Sequence, residues 1–394
     1  MTFFDTIDLA PPDPIFGLSA SYRADPRLEK VTFVTGYYRT EELKTPLLEA
    51  VSEVETQLAN EKLKKEYLPI AGDGDFVSAI GKLAFREKWD EKEICGVQAV
   101  GGTGALSLIG LLAKQWTRKV AVPVPTWVNH WAIFSSAGLE IEGYPYYKNK
   151  TVLFEQMCEK LQTLPKKSCV LLHASCHNPS GMDLSKEQWQ ELSELCLNRE
   201  LFPIFDMAYQ GFAMSLEEDS YSLRLFMEKG HELALTYTCA KNFSIYSERA
   251  GALFVVARSD THRSAIMSQL KKLIRGRYSN PPIHGSTIVK RILESPSLLE
   301  KWEKELSQMR QRMQSVRTAF ADAVTEKKPQ EDWHALREGS GLFYYSELPP
   351  SAVEWLRSEK GFYLMGDGRI NLTGINQKNF GPFVEAFLTA REIE

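Results

Sequence analysis

LALTYTCAKNFSIYSERAGALFVVA, residues 233–257, is the stretch on which the reading of this chain turns. Two apolar runs, 233–238 and 251–257, enclose a polar loop that carries Lys241 and Arg249. Neither run alternates, which is the pattern of strands covered by helices on both sides. Most lysines and arginines are solvated surface charges. A lysine at the end of an apolar strand, close to glycines and other charges, instead suits an amine kept for covalent chemistry.

Working outward, similar short runs recur as KVAVPVP (119–125), LEIEGYPYY (139–147), SCVLLHAS (168–175) and LFPIFD (201–206), with helical patterns between them. Strands alternating with helices predict an α/β fold with a mainly parallel sheet covered by helices, and the length of 394 residues calls for two domains. Residues 45–300 are expected to form the large domain and 301–394 a smaller α/β domain, with 1–44 supplying an arm and part of the small domain. A helix is expected from Thr45 as cap and Pro46 in the first turn, with Leu48, Val51, Val54 and Leu58 on one face. The stretch 297–328 has apolar residues at helical spacing from Leu299 and Trp302 to Phe320 and reads as a connecting helix. Leu9 to Pro26, with Ala10-Pro11-Pro12-Asp13-Pro14, has no periodicity and reads as an extended arm that needs a surface to lie on, such as a second subunit.

Composition narrows the function. Hydrophobic residues make up 43% and charged residues 25%, and a net charge of −4 gives no basic footprint for nucleic acid. Six cysteines form no Cys-x-x-Cys pair and no metal spacing with histidine, so neither a disulfide framework nor a metal site is expected. The start MTFFDTIDLAPPDP is acidic and proline-rich where a signal peptide is basic and then apolar, and ALSLIGLLA is too short to span a bilayer. A cytoplasmic protein without membrane contact is expected.

Several segments offer polar groups near strand ends. Gly101, Gly102, Thr103 and Gly104 stand before an apolar helix, where free amides can seat a phosphate or simply make a turn. No Gly-x-Gly-x-x-Gly or Gly-Lys-Ser/Thr pattern follows. Trp127 follows a strand and can stack on an aromatic ligand or merely pack. Asn178 lies in Asn-Pro-Ser-Gly, a turn sequence that also places an amide for hydrogen bonding. Asp206 ends its strand and Tyr209 follows in the same turn, so the acid can cap a helix or hold a cationic ring nitrogen. Asp206, Lys241 and Arg249 together meet the needs of pyridoxal 5′-phosphate. Its aldehyde requires an amine, its pyridine nitrogen a carboxylate and its phosphate a fixed cation.

The motifs GGTGAL, HNPSG, FDMAYQGF, KNFSIYSERAG, RYSNPPIHG and GRINLTG resemble those of the class I aspartate and aromatic aminotransferases, fold-type I pyridoxal-phosphate enzymes, over essentially the full chain. The resemblance implies that Lys241 bonds the cofactor and shuttles the proton from substrate Cα, and that Asp206 pairs with the ring nitrogen. It further implies that Tyr209 and Asn178 bond the ring oxygen, that Trp127 stacks on the ring, and that Gly102, Thr103, Thr238 and Arg249 hold the phosphate. Arg369 would grip the substrate α-carboxylate with help from Asn178 and the backbone of Gly36. Family members are homodimers, so Tyr67 would reach the neighbour's phosphate and Arg275 would read a distal carboxylate across the interface.

Three residues depart from the pattern: Ala240 where relatives often carry serine, Arg277 as a competitor of Arg275, and Tyr37 near the entrance where smaller residues are usual. The expected activity is transfer of the amino group of aspartate, and of aromatic amino acids, to 2-oxoglutarate. Aromatic transamination as the main activity, a cofactor-binding sensor, and retro-aldol or decarboxylase chemistry are the alternatives.

Overall fold

The computed structural model describes residues 2–11, 13–62 and 64–393, so Pro12 of the N-terminal arm lies outside the described residues. The apolar runs become strands of one seven-stranded sheet: β1 (Ile94–Val100), β2 (Lys119–Val124), β3 (Glu140–Pro145), β4 (Cys169–His173), β5 (Phe202–Met207), β6 (Leu233–Thr238) and β7 (Ala250–Val256). Their order across the sheet is β1-β7-β6-β5-β4-β2-β3. Strand β7 runs antiparallel to both neighbours, and the pairs from β6 through β3 are parallel.

Every residue of β6 and β7 is buried, which is why both read as unbroken apolar runs. One face packs Leu106, Ile109, Phe134 and Leu253, and the other packs Phe205, Tyr237, Phe254 and Trp302. Each large side chain removed from water contributes about 1.5–3 kcal/mol, which makes this sheet the rigid body of the molecule. Register then sets the chemistry. His173 of β4 stands beside Asp206 of β5, which stands beside Thr236 of β6, so polar groups gather near the carboxyl ends of parallel strands.

A second core collects Val31 and Phe33 with Phe320, Leu356, Ile370, Phe383 and Phe387. The helix Pro296–Lys327 serves both cores: Trp302, Leu306, Met309 and Met313 face the first, and Phe320, Ala321 and Val324 face the second. Thirty-two residues of continuous helix link the two cores directly.

Two local expectations are corrected. The first helix after Thr45 spans Glu49–Glu61, because the Glu305 carboxylate accepts hydrogen bonds from the Glu49 and Ala50 amides and fixes its start there. The predicted face still holds, with Val51, Val54 and Leu58 buried. The arm is not extended throughout: Pro14–Ala24 forms a helix, whose start is helped by a bond from the Ile15 amide to the Asp13 carboxylate. Its Ile15, Leu18 and Tyr22 pack against Val34, Tyr363 and Met365 of the same chain.

Candidate active site

A cavity of about 710 Å³ opens at the carboxyl ends of β4, β5 and β6, lined by Lys241, Asp206, Arg249, Arg369, Trp127 and Tyr209 among others. Lys241 stands just beyond β6, in a segment fixed from behind. The Trp302 indole donates to the Asn242 carbonyl at 2.8 Å and stacks on Phe243 at 4.4 Å, and the Ser244 hydroxyl donates to the Pro46 carbonyl at 2.6 Å. The Lys241 ammonium sits 4.9 Å above the Tyr209 ring. Burial pulls its pKa down to about 8, with Asp206 opposing and Arg249 and Arg369 assisting. An amine so placed is partly neutral at physiological pH and able to act as a nucleophile or base.

Asp206 is buried, and its two oxygens are held separately. His130 Nε2 lies 3.2 Å from Oδ2, and the Thr236 hydroxyl donates to Oδ1 at 3.2 Å. Burial pushes the carboxyl up, but the His130 hydrogen bond and nearby positive charge outweigh it and keep the pKa below the ordinary value. Behind it, His130 Nδ1 lies 2.8 Å from the Thr126 hydroxyl, which lies 3.2 Å from His173 Nε2. Burial pushes His173 down to about 3, so that ring is a neutral spacer that accepts the Asn178 amide at 3.1 Å.

None of His130, Thr126, His173 and Thr236 was singled out from the sequence. His173 could have been, since it and Asp206 are both polar residues closing apolar strands. His130 carried a weaker signal, three residues after Trp127 and second in the helix Asn129–Ser136. The Trp127 ring meets His130 edge-on at 5.2 Å.

The helix Gly101–Ala113 begins at the cavity with no side chain capping its first amides. Gly101 has φ +63°, and a Cβ there would come 2.6 Å from Arg249 Nη2, so the glycine lets the guanidinium lie against the helix end. Arg249 is itself left-handed, φ 55°, and donates to the Tyr246 carbonyl at 3.1 Å. With Gly102, Thr103 and Thr238 on the same wall, this corner fits a phosphate dianion. Ala240 lines the cavity without a hydroxyl, and its amide bonds the Thr238 hydroxyl at 3.3 Å. Uncapped amides and a cation at one end, a buried carboxylate in the middle and a lysine of lowered pKa beside it fit the phosphate, ring nitrogen and aldehyde of pyridoxal 5′-phosphate.

Across the cavity, Arg369 is 4% exposed. Its Nη1 donates to Asn178 Oδ1 at 3.0 Å and Nη2 to the Val34 carbonyl at 2.7 Å, and its guanidinium lies 4.3 Å over the Phe343 ring. Its Nε is buried and has no partner among the described residues. Gly36 and Tyr37 line the same space, with the Tyr37 ring 4.7 Å from Tyr246. Two predicted residues stay outside it: Tyr67 is 90% exposed, and Arg275 is exposed and bonded to the Ser279 hydroxyl. Arg277 is also exposed, at the end of the same helix Asp260–Arg277.

Residues 29–387 match the family model of aminotransferases class I and II. The chain is 39% identical over 392 residues to the aspartate aminotransferase of Escherichia coli (strain K12), covering 98% of this chain and 99% of that one. Its fold is similar to an aromatic-amino-acid aminotransferase from Burkholderia pseudomallei covalently bound to pyridoxal phosphate, with a TM-score of 0.96, 36% identity and coverage of 99% and 100%. It is equally similar to the aromatic amino acid aminotransferase of Psychrobacter sp. B6 cocrystallised with aspartic acid, with a TM-score of 0.96, 33% identity and coverage of 98% and 99%.

Proposed function

For a chain that belongs to the class I and II aminotransferases, we propose transfer of the amino group of aspartate, and of aromatic amino acids, to 2-oxoglutarate in a two-stage cycle with pyridoxal 5′-phosphate. The observation that carries this reading is the convergence of Lys241, Asp206, Arg249 and Arg369 on one cavity. When bound, the cofactor supplies a carbonyl carbon for the amine and a cationic ring that accepts the electron pair released at the substrate Cα.

The chain's own residues do the rest. Asp206 would pair with the ring nitrogen and keep it protonated, and His130 and Thr236 keep that carboxylate charged and aimed. Trp127 would hold the cofactor ring by stacking, and Asn178 and Tyr209 would hold its ring oxygen by hydrogen bonds. Gly102, Thr103, Thr238 and Arg249 fix the phosphate. Arg369 binds the α-carboxylate as a planar fork, with Asn178 and the Gly36 backbone beside it. With the cofactor bound, Lys241 would hold it and would then be the base that takes and returns the Cα proton.

The state of Lys241 gives a pH prediction. Only the neutral amine attacks an aldehyde, so cofactor-free protein is expected to capture pyridoxal 5′-phosphate about tenfold faster per pH unit as pH rises towards 8, and then to level off. A stopped-flow absorbance series checks this. A rise that continues unbroken beyond pH 10 would mean that the amine is not depressed.

We further propose a homodimer with shared sites, the partner subunit's Tyr67 completing the phosphate seat and the partner subunit's Arg275 reading a distal carboxylate, with Arg277 its competitor. The exposure of Tyr67, and of Phe3, Phe4, Ile7 and Leu9 in the arm, supports a covering second copy. A division into 1–44, 45–300 and 301–394 is proposed; the second core, which joins Val31 and Phe33 to Phe320 and later residues, supports it, although Trp302 to Met313 pack on the first core. A cytoplasmic location is proposed from six free, buried cysteines, and no helix among the described residues is long and apolar enough to cross a membrane.

Aspartate is favoured as donor because of Arg275, and Tyr37 favours the aromatic reading because it adds a ring to the cavity wall. Measuring kcat/KM for aspartate, tyrosine and phenylalanine tests the choice. Aspartate is expected to lead, and a tyrosine preference above about tenfold would make aromatic transamination the main activity.

A further inference from the structure

Arg317 on the helix Pro296–Lys327 is 1% exposed. Its Nη1 donates to the Leu336 carbonyl at 3.0 Å, and Nη2 lies 3.2 Å from the Ser340 and Gly341 carbonyls and 2.7 Å from that of Phe343. A buried guanidinium costs several kcal/mol in lost solvation, so one spent on backbone carbonyls is holding that backbone in a particular shape. The neighbouring glycines are cut to fit it. A Cβ on Gly339 would meet Arg317 Nη1 at 2.6 Å, and one on Gly181 would meet the Phe343 carbonyl at 2.5 Å.

Against this segment lies the loop 176–183, joined to it by a second set of bonds. Asp183 accepts from the Cys176 and His177 amides and from the Ser340 hydroxyl, each at 2.8 Å, and the Ser340 amide donates to the Gly181 carbonyl at 2.7 Å. Both halves of the junction end at one side chain. The loop carries Asn178, whose Oδ1 accepts from Arg369, and the segment carries Phe343, whose ring lies under the Arg369 guanidinium.

We propose that Arg317 is a positioning residue for substrate binding: by gathering the carbonyls of 336–343 and locking that segment to the Asp183 loop, it sets Asn178 and Phe343 so that Arg369 faces the α-carboxylate. This rests on the reading of Arg369 given above. Arg317 touches neither substrate nor cofactor and acts on substrate binding through Asn178 and Phe343, the two supports of Arg369.

The test measures succinate binding by calorimetry on protein loaded with pyridoxal 5′-phosphate, together with KM and kcat for aspartate. Arg317→Met is expected to weaken succinate binding and raise KM about tenfold, with kcat and cofactor affinity changed by less than about threefold. In an Arg369→Ala background the same change should have no further effect on succinate binding, because the route runs through Arg369. If Arg317→Met does not fold, Arg317→Lys, which keeps the charge but not the fork, and Ser340→Ala, which removes the hydroxyl bonds to Asp183 and the Gly181 carbonyl, carry the same two comparisons. Full additivity with Arg369→Ala, or equal losses of succinate and cofactor binding, would overturn the proposal and leave Arg317 a plain structural residue. Unchanged succinate binding in Arg369→Ala alone would instead sink the reading of Arg369 itself.

Discussion

Lys241→Ala protein is expected to bind pyridoxal 5′-phosphate yet lose transamination by about 10⁴-fold or more, the upper range for removing a positioned general acid-base. Cofactor binding should survive because Asp206, Arg249 and the uncapped helix end lie on other elements, each held independently of the lysine. Chemistry should not survive. Tyr209 is a neighbouring hydroxyl-bearing side chain, its ring 4.9 Å from the ammonium, but burial drives its hydroxyl pKa well up and leaves it a poor base. Steady-state turnover of aspartate with 2-oxoglutarate checks this, and near-normal rates in the variant would transfer the proton step to another group.

Arg369→Ala is expected to have the second-largest effect. Its guanidinium is 4% exposed, two of its nitrogens are satisfied and Nε is left over, so an incoming carboxylate meets a desolvated cation with little competing water. Truncating one member of such a buried charge pair costs about 2–5 kcal/mol, which lowers kcat/KM by between about 30-fold and several thousand-fold. Because the carboxylate is bound in both ground and transition states, most of the loss should appear in KM for both the amino acid and the oxo acid. A variant whose KM is unchanged would place the α-carboxylate elsewhere in the cavity.

The parts of this site visible in the sequence were those whose residue types are unusual for their surroundings. Lys241 and Arg249 stood out because charges interrupt two buried strands, and the glycines at 101–104 because they precede an apolar helix. The supports behind them were less legible. His130 and Thr126 come together with Asp206 only through the packing of a helix on the sheet, and Thr236 reads as an ordinary strand residue until register sets it beside Asp206. Arg317 looked like one more polar residue on a long amphipathic helix, since its burial depends on a segment 19 to 26 residues further along closing over it. The helix at Pro14–Ala24 was missed because its sequence has little periodicity, its stability coming from contacts with Val34, Tyr363 and Met365. Local pattern carried the sheet, and long-range packing carried the electrostatic tuning.

The most direct test of the account is chemical trapping at Lys241. Protein loaded with pyridoxal 5′-phosphate is reduced with borohydride, digested and mapped by mass spectrometry. One reduced cofactor per chain on the peptide containing Lys241 is the predicted result, and label on another lysine, or none at all, would contradict it.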